Sequence, residues 1–377
     1  MARALRLAER GLYTTQPNPR VGCVIAREGE IVGEGWHQRA GEPHAEVFAL
    51  RAAGGRARGA TAYVTLEPCS HRGRTPPCAD ALIAAGIARV VVASEDTNPK
   101  IGGAGLRRLR EAGIDLETGL MREAARELNR GFFSRFERGR PWLRVKLAMS
   151  LDGRTALANG ESKWITGEAA RADVQRWRAR SSAILTGAGT ARADDPRLTV
   201  RNRGQSHFSL RTRGNDDNPV KNDSDPFSPL RVVLDARLDA LQAGAHLLDG
   251  SAPTLVLHAP AARACDDRYA RVELATIDRD TQGRLDLGAV LKVLAARGVN
   301  ELQVEAGAAL CGALLEQKLV DELLLYVAPT VLGDSARPLL ALPPPASMAE
   351  RGEWRVLDQR RVGDDTRLLL RPAGTDV

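Results

Sequence analysis

The sequence predicts a two-domain α/β protein, and three observations carry that expectation. Short apolar strands alternate with helical periods along most of the 377 residues. A chain of that length exceeds what one hydrophobic core ordinarily serves. The alternation breaks at Gly139-Arg140-Pro141, which places the boundary there and gives domains 1–140 and 141–377.

The elements follow in order. Residues 1–12 read as an amphipathic helix carrying Arg3, Arg6, Glu9 and Arg10, without the continuous apolar stretch of a signal peptide. Residues 21–27 and 31–36 are strands joined by a Glu28-Gly29-Glu30 turn. Helices are expected at 44–53, stopped by Gly54-Gly55, and at 78–85, stopped by Gly86. Strands at 61–66 and 89–94 are apolar, the second continuously so, as suits a sheet covered on both faces. A helix at 106–112 and a strand at 114–118 complete a three-layer α/β unit, and 121–136 reads as one connecting helix. Beyond the boundary, strands are expected at 142–149, 183–186, 230–235, 254–258 and 301–305, with helices at 167–180, 287–297 and 308–317. Strands at 322–328 and 366–371 predict an antiparallel end to that sheet. Residues 202–229 are polar and lack apolar periodicity, so a mobile surface insertion is expected.

Composition narrows the class. Five cysteines in a chain this long do not make a disulfide framework, and a reducing, cytoplasmic setting is expected. No apolar run approaches the roughly 18 residues that span a bilayer. The net charge is +7 with a pI of about 9.4, yet only six of 54 basic residues are lysine and aromatics are 4%. That is an arginine bias spread along the chain, without an obvious base-stacking platform. No nucleic-acid partner and no membrane are expected; a small anionic substrate would use the charge equally well.

The chemistry concentrates between residues 44 and 78. His44-Ala45-Glu46, Pro68-Cys69 and Pro77-Cys78 supply one imidazole and two thiolates, three ligands of a tetrahedral Zn²⁺ with the fourth position left for water. A purely structural zinc site would want four protein ligands. Glu46 stands near enough to move protons without being a ligand. His44 and Glu46 are two residues apart, which a regular helix would not turn to one side, but a helix's first turn allows both to reach one cavity. Cys78 opens a helix, whose free N–H groups should favour its thiolate. The set is that of zinc-dependent nucleobase deaminases. Eight residues separate Cys69 from Cys78, where most such enzymes have two, and they include His71, Arg72 and Arg74. A rigid arginine-bearing loop suits a substrate phosphate; a solvated basic loop is the plainer alternative.

The stretch from Glu67 through Cys78, with Pro17-Asn18-Pro19 and Val21-Gly22-Cys23, resembles the signature of the bifunctional riboflavin-biosynthesis deaminase/reductase family. The second half resembles the same family through residues 146–153, Ser162-Lys163-Trp164-Ile165-Thr166, Gly187-Ala188-Gly189-Thr190, Asp194-Asp195-Pro196 and Val304-Glu305-Ala306-Gly307. The resemblance implies a cytidine-deaminase-like N-terminal domain and a dihydrofolate-reductase-like C-terminal domain. It implies removal of an amine from a phosphoribosylamino-diaminopyrimidinone, then reduction of the ribosyl group to ribityl with NADPH. It places Asn18, His37, His71, Arg74 and Asn98 at the first substrate. It places Ala148, Trp164, Thr190, Asp194 and the Gly307 turn at the cofactor. Ser162, Arg178, Leu198, Arg201 and Glu305 would face the second substrate, the arginines serving its phosphate.

Reducing a ribosylamine needs a hydride that no side chain provides, hence an external cofactor. Gly307, followed by Ala308, Ala309, Leu310, Cys311, Gly312 and Ala313 at a helix start, offers bare N–H groups to phosphates; close helix packing explains the same glycine. Lys146 at mid-strand requires a partner or a ligand. With Glu305 it is a candidate for orienting the sugar or relaying a proton, and a structural ion pair is the alternative. The partners expected are a small-molecule phosphoribosyl pyrimidine and, as a homo-oligomer, further copies of the chain. The rival reading is a nucleic-acid-editing deaminase acting on tRNA with an appended binding domain. It accounts for the zinc set and the charge, but not for the Cys69–Cys78 insertion or the second-half motifs.

Overall fold

The computed structural model describes residues 1–71, 76–99, 101–201 and 228–374. Of the insertion expected at 202–229, residues 202–227 lie outside them. The chain divides into two compact units, the first Met1–Gly139 and the second opening at Arg140.

The first unit runs α1 (Ala2–Glu9), β1 (Gly22–Arg27), β2 (Glu30–Trp36), α2 (Ala45–Ala53), β3 (Thr61–Val64), α3 (Cys78–Ala84), β4 (Arg89–Val92), α4 (Ala104–Glu111), β5 (Asp115–Thr118), α5 (Arg122–Leu128) and α6 (Arg130–Arg138). The sheet order is β2-β1-β3-β4-β5. β1 is antiparallel to β2 and β3, and β3, β4 and β5 are parallel. Glu28 and Gly29 make the first turn at φ 54° and 85°, the two positive values that a type I′ hairpin requires. Alternation along β1 then serves two layers. Cys23 and Ile25 join the core beneath α2, α3 and α4 with Ala49, Leu82, Val90 and Leu109. Val24 faces Ala4 and Leu7 of α1, and α1 meets α5 through Leu5 and Ala125.

The single helix expected at 121–136 is two helices. Asn129 breaks it: its buried amide accepts from Arg20 N (2.8 Å) and donates to Arg20 O (2.9 Å). Those two bonds to a distant strand approach go with a backbone bent out of helical geometry at Asn129 (φ −111°, ψ 21°).

The second unit runs β6 (Trp142–Met149), β7 (Arg154–Ala156), α7 (Glu168–Arg180), β8 (Ala183–Gly187), α8 (Ala188–Asp194), β9 (Leu230–Leu234), β10 (Thr254–His258), β11 (Glu273–Thr276), α9 (Leu287–Ala296), β12 (Glu301–Val304), α10 (Ala308–Glu316), β13 (Glu322–Val327), β14 (Arg337–Pro338), β15 (Trp354–Val362) and β16 (Asp365–Pro372). Its main sheet has the order β11-β10-β9-β8-β12-β6-β13-β16-β15 among the described residues. Strands β11 through β13 are parallel; β16 and β15 form the antiparallel end. Leu143, Val145 and Leu147 of β6 enter the core covered by α9 and α10. The alternate residues Arg144, Lys146 and Ala148 face the side where α7 packs through Ala170, Val174 and Trp177. No helix among the described residues is long and apolar enough to cross a membrane.

Candidate active site

Local structure delivers the first cluster. Pro43 precedes His44, the N-cap of α2, whose extended backbone (φ −79°, ψ 168°) leaves Glu46 in the helix's first turn. Helix α2 sits backbone-on-backbone against β2, because a Cβ on Gly35 would come within 2.3 Å of Ala45 O. Cys69 follows β3, and Cys78 is the first residue of α3. His44 Nδ1 lies 3.2 Å from Cys78 Sγ and 3.5 Å from Cys69 Sγ, and the three donor atoms lie within 4.8 Å of one another. A tetrahedral zinc with bonds of about 2.0 Å to nitrogen and 2.3 Å to sulfur spaces such ligands about 3.5 Å apart. One nitrogen and two sulfurs at that spacing fit a zinc ion with a position left open.

Glu46 completes the set. It is 3% exposed, and its Oε2 has no hydrogen-bond partner among the described residues. Burial pushes its carboxyl up to about 7, with His44 opposing. The sulfurs depart from expectation. The first amide of α3 donates to Cys69, with Cys78 N–H 3.4 Å from Cys69 Sγ. The Cys78 thiol also donates there, so the Cys69 thiol falls to about 4 while that of Cys78 rises. The helix-start amide thus points across the loop at the Cys69 sulfur.

A cleft of about 480 Å³ opens over this cluster, and Asn18, His37, His71 and Asn98 line it with His44, Glu46 and Cys69. Arg74 lies outside the described residues. His37 Nδ1 meets Pro43 O at 3.2 Å, an acceptor only, so His37 Nε2 accepts from the Asn18 amide at 3.1 Å. Burial lowers His37 to about 4, and the nearby His44 adds to this. The imidazole is thus neutral at ordinary pH. Sequence reasoning missed Glu67, Asp96, Phe132 and Arg135, which line the same cleft. Glu67 accepts from the amides of Asp96, Gly103, Gly105 and Leu106, fixing α4 beside the Cys69 loop. Burial raises Asp96 to about 6 against the Asn98 amide it accepts from. Asp96 is two residues from Asn98 beyond an apolar strand, a position that signals a strand-end site; Phe132 and Arg135 carry no such signal.

The second cluster lies at the carboxyl ends of β12 and β8, beside Lys146 of β6. Arg178 of α7 grips Glu305 with two bonds of 2.7 Å and donates to Thr199 O. Gln303 adds a bond to Glu305. Burial pushes the Glu305 carboxyl up, but Arg178 and Lys146 overcome it and hold it at about 2. Lys146 has no carboxylate within ion-pair distance among the described residues. Burial lowers its ammonium pKa, opposed by Glu305, and its Nζ lies 5.9 Å from the Tyr326 ring centre.

Gly307 is the N-cap of α10. A Cβ there would sit 3.7 Å from Thr190 Oγ1, and one on Gly187 3.3 Å from Leu310. The two loops thus meet around an open cradle. The amides of Ala308, Ala309 and Leu310 have no intrahelical partner, which fits a phosphate-bearing cofactor. Cys311 N–H already donates to Gly307 O. Cys311, Gly312 and Ala313 are buried, with the Gly312 backbone against Ala341 O, so their side of the helix belongs to the core. Ala148 lies on the α7 face of β6. Trp164 is exposed with Arg171 over its ring, Asp194 ends α8 exposed, and Ser162 is half-buried in the loop before α7. Leu198 has its side chain in the core with Ile184 and Leu241. Arg201 N–H donates to Gln175 of α7. Arg178 thus spends its Nε and Nη2 on Glu305 and a bond from Nη1 on Thr199 O.

Comparison with known proteins finds a family match in each unit. A family described as the cytidine and deoxycytidylate deaminase zinc-binding region matches residues 1–94, and the RibD C-terminal domain matches residues 141–367. The riboflavin biosynthesis protein RibD of Escherichia coli is 48% identical over 372 residues, covering 98% of each chain. The RibD of Haemophilus influenzae is 44% identical over 99% of this chain and 97% of its own. A structure of Acinetobacter baumannii RibD superposes with a TM-score of 0.86 at 44% identity, covering 99% of this chain and 97% of that one. One from Thermotoga maritima, described as a diaminohydroxyphosphoribosylaminopyrimidine deaminase/5-amino-6-(5-phosphoribosylamino)uracil reductase, gives 0.82 at 30% identity, covering 99% and 97%. With relatives this similar over nearly its whole length and a zinc-ligand triad in its first unit, the chain belongs to the family of bifunctional riboflavin-biosynthesis deaminase/reductases.

Proposed function

We propose that Glu46 is the proton shuttle of the deaminase and that Lys146 and Glu305 serve the reductase, residues 1–140 carrying the first reaction and 141–377 the second. The chain is a zinc-dependent hydrolytic deaminase and an NADPH-dependent reductase of riboflavin biosynthesis. The substrate assigned to it is the phosphoribosylamino-diaminopyrimidinone. Zinc held by His44, Cys69 and Cys78 supplies Lewis-acid activation of water when bound. Glu46 takes a proton from the attacking water and returns it to the departing amine, so that ammonia leaves and the ring carbon keeps the oxygen. Neutral His37 orients the Asn18 amide, and Asn98 and His71 flank the pyrimidine. In the second unit NADPH supplies the hydride when bound, and the Gly307 turn with Thr190 holds its phosphates. Lys146 donates the proton that balances the hydride, while anionic Glu305 orients it and the sugar.

The observation that carries this reading is a buried carboxylate oxygen on Glu46, without a hydrogen-bond partner among the described residues, beside a three-donor zinc triad. Ammonia release by Glu46→Gln, compared with wild type at equal zinc content, is the test. A loss of about 10²- to 10⁴-fold is expected; undiminished release would remove Glu46 from the role.

We further propose that the protein is cytoplasmic, binds no nucleic acid and forms a homo-oligomer. The cleft of about 480 Å³ over the zinc triad is of a size that supports a free small molecule, and a gel-shift assay with transfer RNA would detect polynucleotide binding. The nine-residue β15 closes one end of the sheet as an edge strand exposing Val356 and Leu357, which supports pairing with a second copy; sedimentation equilibrium tests it.

A further inference from the structure

In the second unit two arginines converge on one aspartate at the carboxyl edge of the sheet. Arg192 of α8 meets Asp239 Oδ1 at 3.0 Å, and Arg237, just past β9, meets Asp239 Oδ2 at 3.0 Å. The turn that carries Arg237 and Asp239 is built rigidly. Asp235, buried at the end of β9, accepts from the amides of Asp239 and Ala240 and from the Tyr269 hydroxyl. Leu238, at φ 58°, drives its side chain into the core between them. Both guanidinium groups nevertheless stand in solvent. Exposed ion pairs of this kind contribute little to stability, so so firm a mounting for Arg237 calls for another purpose.

The strand order supplies one. β9, β8, β12 and β6 are successive parallel neighbours, so their carboxyl ends lie in one row. Lys146 of β6 stands one residue beyond Val145, the partner of Val304 at the end of β12; Gly307 follows β12, Thr190 follows β8 and Arg237 follows β9. At about 4.8 Å per strand, the row spans about 14 Å. That is the reach of an extended dinucleotide, with nicotinamide beside Lys146, pyrophosphate at the Gly307 cradle and the adenosine ribose beside β9. The group that distinguishes NADPH from NADH is the 2′-phosphate on that ribose, a dianion suited to two guanidinium forks.

We propose that Arg192 and Arg237 read the 2′-phosphate of NADPH, and that Asp239 holds the two guanidinium groups together in its place when the nucleotide is away. The inference rests on the NADPH-dependent reductase reading but not on the roles given to Lys146 and Glu305. Its test is direct binding without turnover. The full-length enzyme and its R192Q, R237Q, doubly substituted and D239N variants are titrated calorimetrically with 2′,5′-ADP, 5′-AMP, NADPH and NADH. Each arginine substitution should weaken 2′,5′-ADP and NADPH about tenfold, corresponding to one charged hydrogen bond, with R237K recovering part of the loss. The affinities for 5′-AMP and NADH should move less than about twofold on the same scale, and D239N should tighten NADPH alone. Equal losses for phosphorylated and unphosphorylated nucleotides, or none, would overturn the proposal. So would a D239N variant that loses NADH affinity, since Asp239 would then be reading a 2′-hydroxyl. Failure of Lys146 or Glu305 in turnover assays would leave these ratios untouched, which separates the two ideas.

Discussion

Glu46 and Glu305 are both carboxylates withdrawn from water, and their neighbours send them in opposite directions. Glu46 has an oxygen with no donor among the described residues, and burial raises its carboxyl to about 7. Glu305 suffers the same penalty but is overruled by Arg178 and Lys146, which hold it at about 2. Environments that split like groups apart in this way assign roles: Glu46 can exchange a proton near neutrality, whereas Glu305 stays anionic and positions others. The depression of Glu305 has a consequence for stability. Its folded pKa lies below its ordinary value of 4.5, so the stabilisation is fully present above about pH 4.5 and is lost as pH falls toward about 2. It amounts to about 3 kcal/mol at most. Glu305→Gln should therefore be less stable than wild type at pH 7, and the gap should narrow as the buffer is taken from pH 5 to pH 3. Urea unfolding across that range would measure it, and a gap independent of pH would mean that packing, not charge, explains the loss. The identities of His44, Glu46, Cys69 and Cys78 were legible because the four fall within 35 residues and their types dictate the chemistry. The engagement of Arg178 by Glu305 was not, because the partners are 127 residues apart.

Element by element, legibility follows how local the determining forces are. Helix α2, helix α3 and strands β6 and β10 stand close to where apolar periodicity and glycine stops place them. The helix over 121–136 failed at Asn129, whose amide is satisfied by Arg20, 109 residues away. Strand β15 was missed because an edge strand exposed on most of its length carries no clear alternation. Close contact between two elements positions the His44 end of the zinc site: notches at Gly33 and Gly35 let α2 lie on β2, the second directly beneath Ala45. A Cβ on Gly35 would stand 2.3 Å from Ala45 O and 2.6 Å from Ala49 N, both backbone atoms that cannot yield alone. Gly35→Ala should push away the helix that carries His44 and Glu46, at a cost of about 1–3 kcal/mol. Weaker zinc retention against a chelator and a lower melting temperature are expected together, with NADPH binding unchanged. Gly55→Ala, which meets nothing within 4 Å, is the control and should stay within about 0.5 kcal/mol of wild type. Unaltered zinc retention in Gly35→Ala would show that α2 tolerates displacement.

At the scale of the whole molecule, the two chemistries draw on separate sets of residues. The zinc triad and its cleft come from residues 17–135, and the Lys146, Glu305 and Gly307 cluster from the second unit. Each unit also has its own core. In the second unit, a buried charge network surrounds Arg144, which is fully enclosed with Glu322 at 2.6 Å and Glu301 at 3.1 Å. A charged residue in mid-strand could not be read as core from the sequence, since its partners lie 157 and 178 residues on. Separate machinery predicts complementation between two defective chains. Lys146→Ala should release ammonia normally but reduce about 10²- to 10⁴-fold more slowly, and Glu46→Gln should do the reverse. Mixed in equal amounts with zinc and NADPH, the pair should carry the phosphoribosyl diaminopyrimidinone through to the ribityl product. Ammonia should appear first and NADPH oxidation should follow after a lag. The lag should shorten as total protein rises, because the intermediate must find the second chain by diffusion. Ammonia release without NADPH oxidation would mean that the intermediate passes only within one chain. Loss of ammonia release by Lys146→Ala alone would mean that the first centre depends on the second unit's integrity, and the independence argued from the residue sets would fall.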